Sequence, residues 1–138
     1  SLLLVDMDGL KEINDAYGHA AGDAALKALA RLMNRTSRAA DAVCRIGGDE
    51  FVIILPETTL KDALKKAKTL QRHIRRLRVD HDDKKIELRA SVGVAQFNPK
   101  EKAEDFLARA DAAMYRAKQK RLGIGVAGGE EDGFDGGD

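Results

Sequence analysis

The apolar positions of the chain follow two periods, and the two periods alternate along the sequence. Continuous apolar runs and runs that alternate with polar residues are typical of strands, whereas apolar residues three or four positions apart are typical of helices. Strands are predicted at 2–6, on both sides of a turn within 41–57, at 86–97 and, as a short edge strand, at 124–127. Helices are predicted at 9–19, 22–37, 59–78 and 103–120, and a loop at 81–85. The order β-α-α-β-β-α-β-α-(β) is close to the split β-α-β-β-α-β pattern.

The segment RIGGDEFVIIL, residues 45–55, places two glycines and two carboxylates between apolar residues. Gly47-Gly48 suits a hairpin turn, because glycine accepts the positive φ that such turns require. One interpretation is a solvated surface turn. The other is a site in which the glycines let a phosphate approach the backbone while Asp49 and Glu50 hold a divalent cation.

A second acidic pair stands at the carboxyl end of the first predicted strand. Asp6 and Asp8 are two positions apart, so in an extended chain they project to the same side. Strand ends are frequent ligand positions in α/β folds. If this strand pairs beside the hairpin, Asp6 and Asp49 could share a metal ion. Asp8 could instead cap the helix that follows.

Polar residues with helical spacing lie between the two acidic segments. Lys11 and Asn14 share one face of the first predicted helix, which Gly18 would end as a C-terminal cap. The Asn side chain has both a donor and an acceptor, which suits a nucleobase. Asp23 stands at the start of the next predicted helix, either as an N-cap or as an acceptor for the N–H-rich edge of guanine. His19 is expected to be structural or a peripheral polar contact.

Composition narrows the possible classes. The chain has 138 residues, which is enough for one domain. It contains a single cysteine, Cys44, so an internal disulfide is excluded, and this composition is compatible with a reducing cytoplasm. No apolar run approaches the roughly 20 residues that cross a bilayer. The acidic, Gly-rich tail 128–138 is expected to be disordered, and the domain to span 1–127, with its N-terminal part truncated.

The charge distribution favours an anionic ligand. Residues 128–138 contain five of the 23 acidic residues and no basic one, so residues 1–127 carry 24 basic against 18 acidic residues. A moderately basic body suits an anionic partner. The many Lys and Arg of 59–78 are interpreted as a solvated helix face, and no nucleic-acid partner is expected.

Four blocks in order and at the expected spacings resemble the GGDEF family, the catalytic domain of bacterial diguanylate cyclases. The blocks read DMDGLKEINDAYGHAAGDAAL, RIGGDEF, SVGVA and ADAAMYRAK, and the resemblance covers residues 2–120. It implies an α/β (α+β) polymerase-palm or nucleotide-cyclase-like sandwich, with a largely antiparallel sheet of about five strands flanked by helices. It also implies the condensation of two GTP into cyclic di-GMP and two pyrophosphates.

The resemblance implies roles for individual residues. Asp6, the main-chain carbonyl of Met7 and Asp49 would hold Mg²⁺, with Mn²⁺ as an alternative, and Asp49 and Glu50 would be the catalytic carboxylates. The residues implied to bind GTP are Lys11, Asn14, His19, Asp23, Gly47, Gly48, Lys118 and Arg121. Among them, Asn14 and Asp23 would read guanine, and Lys11 and Lys118 would meet the β- and γ-phosphates. The family usually has Arg where Leu122 stands, and Arg121 could substitute for it.

The sequence RAAD provides one further match. Arg38 and Asp41 form an R-x-x-D whose Arg lies nine residues before Gly47, the spacing that marks the inhibitory cyclic di-GMP site in this family. Arg can bind a phosphate or a guanine edge in a bidentate fork. The alternative is an ordinary surface ion pair.

The resemblance also implies partners. Because the product has two-fold symmetry and one domain binds one GTP, a homodimer is expected. An N-terminal sensory or regulatory domain is expected in the full-length protein. The expected location is the cytoplasm, either as a cytoplasmic protein or as the cytoplasmic domain of a larger sensor. A different class of function stays open: a catalytically weak or inactive module that acts as a receptor for cyclic di-GMP or GTP.

Overall fold

Seven strands and four helices make up residues 1–128, the part of the chain that the computed structural model describes. In chain order they are β1 (Leu2–Asp8), α1 (Leu10–Tyr17), α2 (His19–Arg35), β2 (Ala42–Arg45), β3 (Glu50–Ile54), α3 (Leu60–Arg76), β4 (Arg78–His81), β5 (Lys84–Glu87), β6 (Arg89–Ala95), α4 (Ala103–Gln119) and β7 (Ile124–Val126). The predicted disordered tail, apart from its first residue, lies outside the described residues. None of the described helices combines the length and apolarity that a membrane crossing requires.

Five strands form one sheet in the order β2-β3-β1-β6-β7. The first four pair antiparallel with their neighbours, and β7 pairs parallel with β6. The prediction of a largely antiparallel five-stranded sheet flanked by helices is therefore confirmed. β1 lies in the middle and is buried on both faces, which explains why its sequence is continuously apolar rather than alternating.

Helices cover the two faces of the sheet. Leu3, Val5 and Ile53 belong to the larger apolar core, which also contains the buried faces of α2 and α3. The opposite face, with Leu2 and Leu4, packs against α4. α4 lies very close to β6: a Cβ built on Gly93 would come within 2.1 Å of a backbone carbonyl oxygen of α4. Only glycine permits this approach, which fixes the position of the middle of α4 over the sheet.

Two sequence-based boundaries are wrong. The predicted loop 81–85 is the turn of a β4–β5 hairpin, in which Asp82 and Asp83 adopt left-handed φ angles of 48° and 64°. Asp tolerates this conformation better than most residues. The predicted strand 86–97 is accordingly two strands, β5 and β6, separated at the buried Leu88.

The second helix begins at His19, three residues earlier than predicted. Gly18, with φ 94°, donates its backbone N–H to Asn14 O and ends α1, which confirms the predicted C-terminal cap. The same residue is also the N-cap of α2. One glycine therefore joins two consecutive helices and fixes the angle between them.

Candidate active site

The two acidic segments meet where β1 ends beside the β2–β3 turn. β1 pairs antiparallel with β3, with Asp6 opposite Glu50, and the backbone N–H of Met7 donates to Asp49 O at 2.9 Å. The pairing on which a shared metal site depended is therefore present. The structure brings Asp6 and Asp49 together from positions 43 residues apart in the sequence.

Asp6 lies in an unusual electrostatic environment. Its carboxylate is buried, and Oδ1 finds no hydrogen-bond partner among the described residues. Burial raises the pKa of Asp6 to about 6 against the opposing effect of Lys118, and the neighbouring Asp49 carboxylate raises it further. An unpartnered buried carboxylate oxygen is costly unless a ligand satisfies it.

Lys118, near the C-terminal end of α4, reaches across to these carboxylates. Its ammonium pairs with Asp6 Oδ2 and lies 3.5 Å from Asp8 Oδ1. Burial lowers the pKa of Lys118, but the two carboxylates outweigh that effect and the pKa is raised. Lys118 therefore carries its charge inside the candidate site.

Asp8 does not cap α1. The N-cap is Gly9, with φ 72° and no side-chain cap, whereas both Asp8 carboxylate oxygens accept from Ser91 Oγ at 3.0 Å. Ser91 lies on β6, directly opposite Asp6. Sequence reasoning missed this residue, because its role depends on which strand lies beside β1.

The turn before β3 does not use the special conformation of glycine. Neither Gly47 nor Gly48 adopts a left-handed φ, so that expectation is wrong. The four-residue connection is held instead by Arg45, whose guanidinium donates to Gly47 O at 3.1 Å and Gly48 O at 2.5 Å. A Cβ on Gly48 would meet nothing within 4 Å, so the turn leaves open space beside Asp49.

Asn14 is held in place by the packing of α1 against α2. It is half-buried, and a Cβ on Gly22 would lie 1.9 Å from its Oδ1 atom. Asp23 follows Gly22 inside α2 and is exposed, so the N-cap interpretation of Asp23 is wrong. Lys11 and His19 are exposed on the surface of α1 and α2. Gly22 was missed, although an isolated glycine inside a helical pattern is a known sign of close packing.

Comparison with known proteins identifies the family to which the chain is similar. A family model described as "Diguanylate cyclase, GGDEF domain" matches residues 1–122. The chain belongs to this family. Diguanylate cyclase A of Treponema denticola is 38% identical over 120 residues, which cover 86% of this chain and 32% of that protein. Diguanylate cyclase DgcM of Escherichia coli is 42% identical over 118 residues, which cover 86% of this chain and 28% of that protein. The chain thus spans less than a third of the length of either relative.

The GGDEF fold is also found among solved structures. The GGDEF domain of DgcB from Caulobacter crescentus, solved in complex with cyclic di-GMP, superposes with a TM-score of 0.88 at 24% identity. The match covers 93% of this chain and 77% of that one. At this identity the likeness establishes the fold.

The carboxylate site of this GGDEF domain suits a hard cation. The described residues contain no cluster of three or more His, Cys, Asp or Glu side chains of the kind that encloses a metal ion. Asp6 and Asp49 could nevertheless provide oxygen ligands, and Asp6 Oδ1, which has no hydrogen-bond partner among the described residues, is open to one more contact. Mg²⁺ is typically bound by one or two carboxylates together with substrate phosphates, so the donor set fits this ion.

Arg38 and Asp41 of the GGDEF domain form a tight clamp. The Arg38 backbone N–H donates to Asp41 Oδ2, and its guanidinium to Asp41 Oδ1, both at 2.9 Å. The same guanidinium reaches Thr58 Oγ1 at 3.0 Å. Asp41 is only 1% exposed at its side chain, whereas Arg38 is 60% exposed. Burial works to raise the pKa of Asp41, but Arg38 outweighs it and holds that pKa below its ordinary value.

Proposed function

We propose that the chain is the catalytic domain of a Mg²⁺-dependent diguanylate cyclase, which condenses two GTP into cyclic di-GMP and two pyrophosphates. The observation that carries the proposal is the register of β1 against β3, which sets Asp6 beside Asp49 and leaves Asp6 Oδ1 without a partner among residues 1–128. The GGDEF family model and the two relatives named diguanylate cyclase support it.

In this proposal, Asn14 and Asp23 orient the base. The Asn14 amide is held against Gly22 and offers a donor and an acceptor. The exposed carboxylate of Asp23 accepts hydrogen bonds from the N1–H and the 2-amino group of guanine. Adenine lacks this pair of donors, so Asp23 gives the site its preference for guanine. Lys11 and His19 contribute at the edge of the site.

Asp6, the Met7 carbonyl and Asp49 would hold the metal ion, which would stabilise the charge of the departing pyrophosphate and favour ionisation of the attacking 3′-hydroxyl. The 3′-oxygen forms a bond to the α-phosphorus, the bond from that phosphorus to the β-phosphate oxygen breaks, and the hydroxyl proton passes to the Asp49–Glu50 carboxylates. Gly47 and Gly48 leave space for the phosphates. A cation bound at Asp6 would replace the ion pair between Asp6 and Lys118, and the Lys118 ammonium would then be able to bind the phosphate oxygens.

The proposal requires two copies of the domain. One domain presents one guanine site and one set of carboxylates, and the product joins two identical halves, so two domains must face each other as an isologous pair. In the full-length protein a sensory or regulatory domain would control this pairing, in the cytoplasm. Product would bind at Arg38 and Asp41 and inhibit the enzyme, because a bidentate guanidinium suits both phosphate and guanine.

The test is product formation with a matched control. The purified chain at high concentration is incubated with GTP and Mg²⁺, and cyclic di-GMP is measured by mass spectrometry. Asp49→Ala is expected to abolish product, whereas Asp111→Ala, an exposed carboxylate on the outer surface of α4, should leave it unchanged. GTP binding without product at any protein concentration would contradict the proposal.

A second candidate, a receptor for cyclic di-GMP, is favoured by one observation. The cavity of about 310 Å³ that contains Arg38 and Asp41 is lined by residues that the carboxylate site does not use. A receptor would keep its cellular output in Asp49→Ala and lose it in Arg38→Ala. The cyclase predicts the reverse for Asp49→Ala.

A further inference from the structure

The flank of α3 that lies next to β7 presents only basic side chains to solvent. Gln71 marks the side of α3 that faces this edge of the sheet, because its buried amide donates to Gly123 O at 2.7 Å, just before β7. At about 3.6 residues per turn, the apolar core face lies on one side of Gln71, and a sector about 100° wide lies on the other. The basic sector of α3 consists of six residues, all at least partly exposed: Lys61, Lys65, Lys68, Arg72, Arg75 and Arg76.

Little within the described chain balances the charge of this sector. Asp62 is the only acidic residue of α3, and it lies on the far side of the helix from β7, outside the basic sector. The side chains of Lys61, Lys65 and Arg76 form no hydrogen bond or ion pair with any of residues 1–128. Like charges one turn apart on a helix repel each other. An anionic partner that spans several turns would therefore stabilise this surface.

β7 ends close to the first turn of α3. It runs parallel to β6, and beyond its last residue the N–H of Ala127 donates to Val94 O at 2.8 Å. At the same end of the sheet, the N–H of Leu60, the first residue of α3, donates to Gln96 Oε1 at 2.7 Å. Gly128 follows with a left-handed φ of 82°. The residues after Gly128 therefore start beside the first cations of the basic sector.

The segment that follows, residues 129–138, has the opposite charge. It contains four glycines, no basic residue and five acidic residues, which are Glu130, Glu131, Asp132, Asp135 and Asp138. Its ten residues span at most about 33 Å when extended, whereas the 17 residues of α3 span about 25 Å. The segment is therefore long enough to bring carboxylates to every cation of the basic sector.

We infer that the acidic residues of 129–138 bind the basic sector of α3 in the same molecule and cover it against other polyanions. This contact goes beyond the proposed cyclase function and does not depend on it. Attachment through Gly128 holds the carboxylates at a high effective concentration near the cations, so ion pairs that are individually weak add up. Salt weakens such a contact, because exposed charges are screened over about 10 Å at 0.1 M ionic strength.

One member of the basic sector also belongs to the candidate active site. Arg75, near the C-terminal end of α3, lines a cavity of about 700 Å³ together with Asp8, Lys118 and Arg121. The other five cations do not line this cavity. A test of the acidic segment therefore leaves Arg75 unaltered, so that any effect on the contact is separate from an effect on catalysis.

Paramagnetic relaxation in the full chain locates the contact. A nitroxide is attached at Phe134→Cys after the exposed Cys44 is changed to serine, and the amide signals of the isotope-labelled chain are recorded. At low salt, the amides around Lys68 and Arg72, two to three turns from the start of α3, are expected to lose more than half of their intensity. High salt should restore them. Broadening spread evenly over the surface, or none, would overturn the inference.

Matched variants test the basic sector itself. The test variant combines Lys61→Gln, Lys65→Gln and Arg76→Gln, which keeps good helix formers in α3, and it should restore most of the lost intensity. The control variant changes three exposed cations of α2 to glutamine and should leave the broadening unchanged. These cations are Lys27, Arg31 and Arg35. An equal effect of the two variants would indicate general attraction between charges and overturn the assignment to α3.

Mixing distinguishes a contact within one molecule from a contact between molecules. An isotope-labelled chain without the nitroxide is mixed with an unlabelled chain that carries it. The α3 signals of the labelled chain are expected to stay unchanged, and broadening in this mixture as strong as in the singly labelled molecule would overturn the contact within one molecule.

Heparin serves as the polyanion that probes whether the sector is covered. A full chain in which the five acidic residues of 129–138 are replaced by their amides should bind heparin about tenfold more tightly than the unaltered chain at low salt. This gain should disappear when the α3 test variant is combined with it and persist with the α2 control variant. A gain that is absent, or that is lost equally in both combinations, would overturn the covering role.

Discussion

Adding one methyl group at Gly22 of α2 should greatly reduce the activity while changing the stability very little. A Cβ there would lie 1.9 Å from Asn14 Oδ1 and 3.2 Å from Leu10 Cδ1, whereas ordinary contacts begin at 3.4 Å. In Gly22→Ala the Asn14 amide therefore has to move by about 1.5 Å. A displacement of this size in a substrate-positioning group costs on the order of 100-fold in rate.

The stability of Gly22→Ala should change much less. Gly22 is helical and outside the left-handed region, so alanine gains roughly 0.5–1 kcal/mol over glycine at this position. Moving the half-buried Asn14 amide costs a similar amount, about 1 kcal/mol, because the packing of α1 against α2 has to adjust around the added methyl group. The free energy of unfolding is therefore expected to stay within about 1 kcal/mol of the original value.

The assay combines kcat/KM for GTP, followed by pyrophosphate release, with urea denaturation. The Asn14→Ala background provides the decisive comparison, because the clash has no partner once the amide is removed. Gly22→Ala should then have little further effect on kcat/KM. An equal loss of activity in both backgrounds, or full activity of the single variant, would refute the reasoning.

Three further predictions concern the Asp6 carboxylate, the contact of Gly93 with α4, and the recognition of guanine by Asp23. Burial raises the pKa of Asp6 to about 6, above its ordinary value of 3.8, so the metal-free wild-type chain loses stability as the pH rises through about 6. In thermal melts with a chelator, Asp6→Asn should therefore be more stable than the wild-type chain by roughly 1–2 kcal/mol at pH 7.5 but not at pH 4. Equal differences at both pH values would contradict this. Gly93→Ala should lose about 3 kcal/mol in urea denaturation, because its Cβ would lie 2.1 Å from a backbone oxygen, whereas Gly48→Ala should lose less than about 1 kcal/mol. Asp23→Ser should reduce the preference for GTP over ATP in competition binding, and unchanged selectivity would remove Asp23 from the guanine site.

The sheet was predictable where burial is continuous. The apolar run of β1 and the apolar residues of β3 identify buried strands from composition alone. The β4–β5 hairpin was missed because only Val79 and Ile86 of its eight strand residues are buried, so its pattern resembles a polar loop. Its turn depends on two aspartates in the left-handed conformation, and aspartate indicates such a turn less strongly than glycine does.

The candidate site likewise has residues that the sequence predicts and contacts that it does not. Local sequence motifs predict the roles of Asp6, Asp49 and Asn14. The pairing of β1 with β3, which brings Asp6 to Asp49, follows from the strand order. The contact between Ser91 and Asp8 spans 83 residues, and that between Gln71 and Gly123 spans 52, so neither can be found from local spacing. Such contacts follow from the approach of particular elements, which only the folded chain defines.

The two ends of the sheet have a consequence for the behaviour of the protein at high concentration. In the five-stranded sheet of the described chain, the edges are β2 with four residues and β7 with three, and β2 ends at the charged Arg45. Such short edges, one ending in a charge and the other buried, give a neighbouring molecule little backbone on which to add a strand, so aggregation by edge-to-edge pairing is disfavoured. Copies of the domain can then collide frequently and separate again, which keeps their encounters reversible.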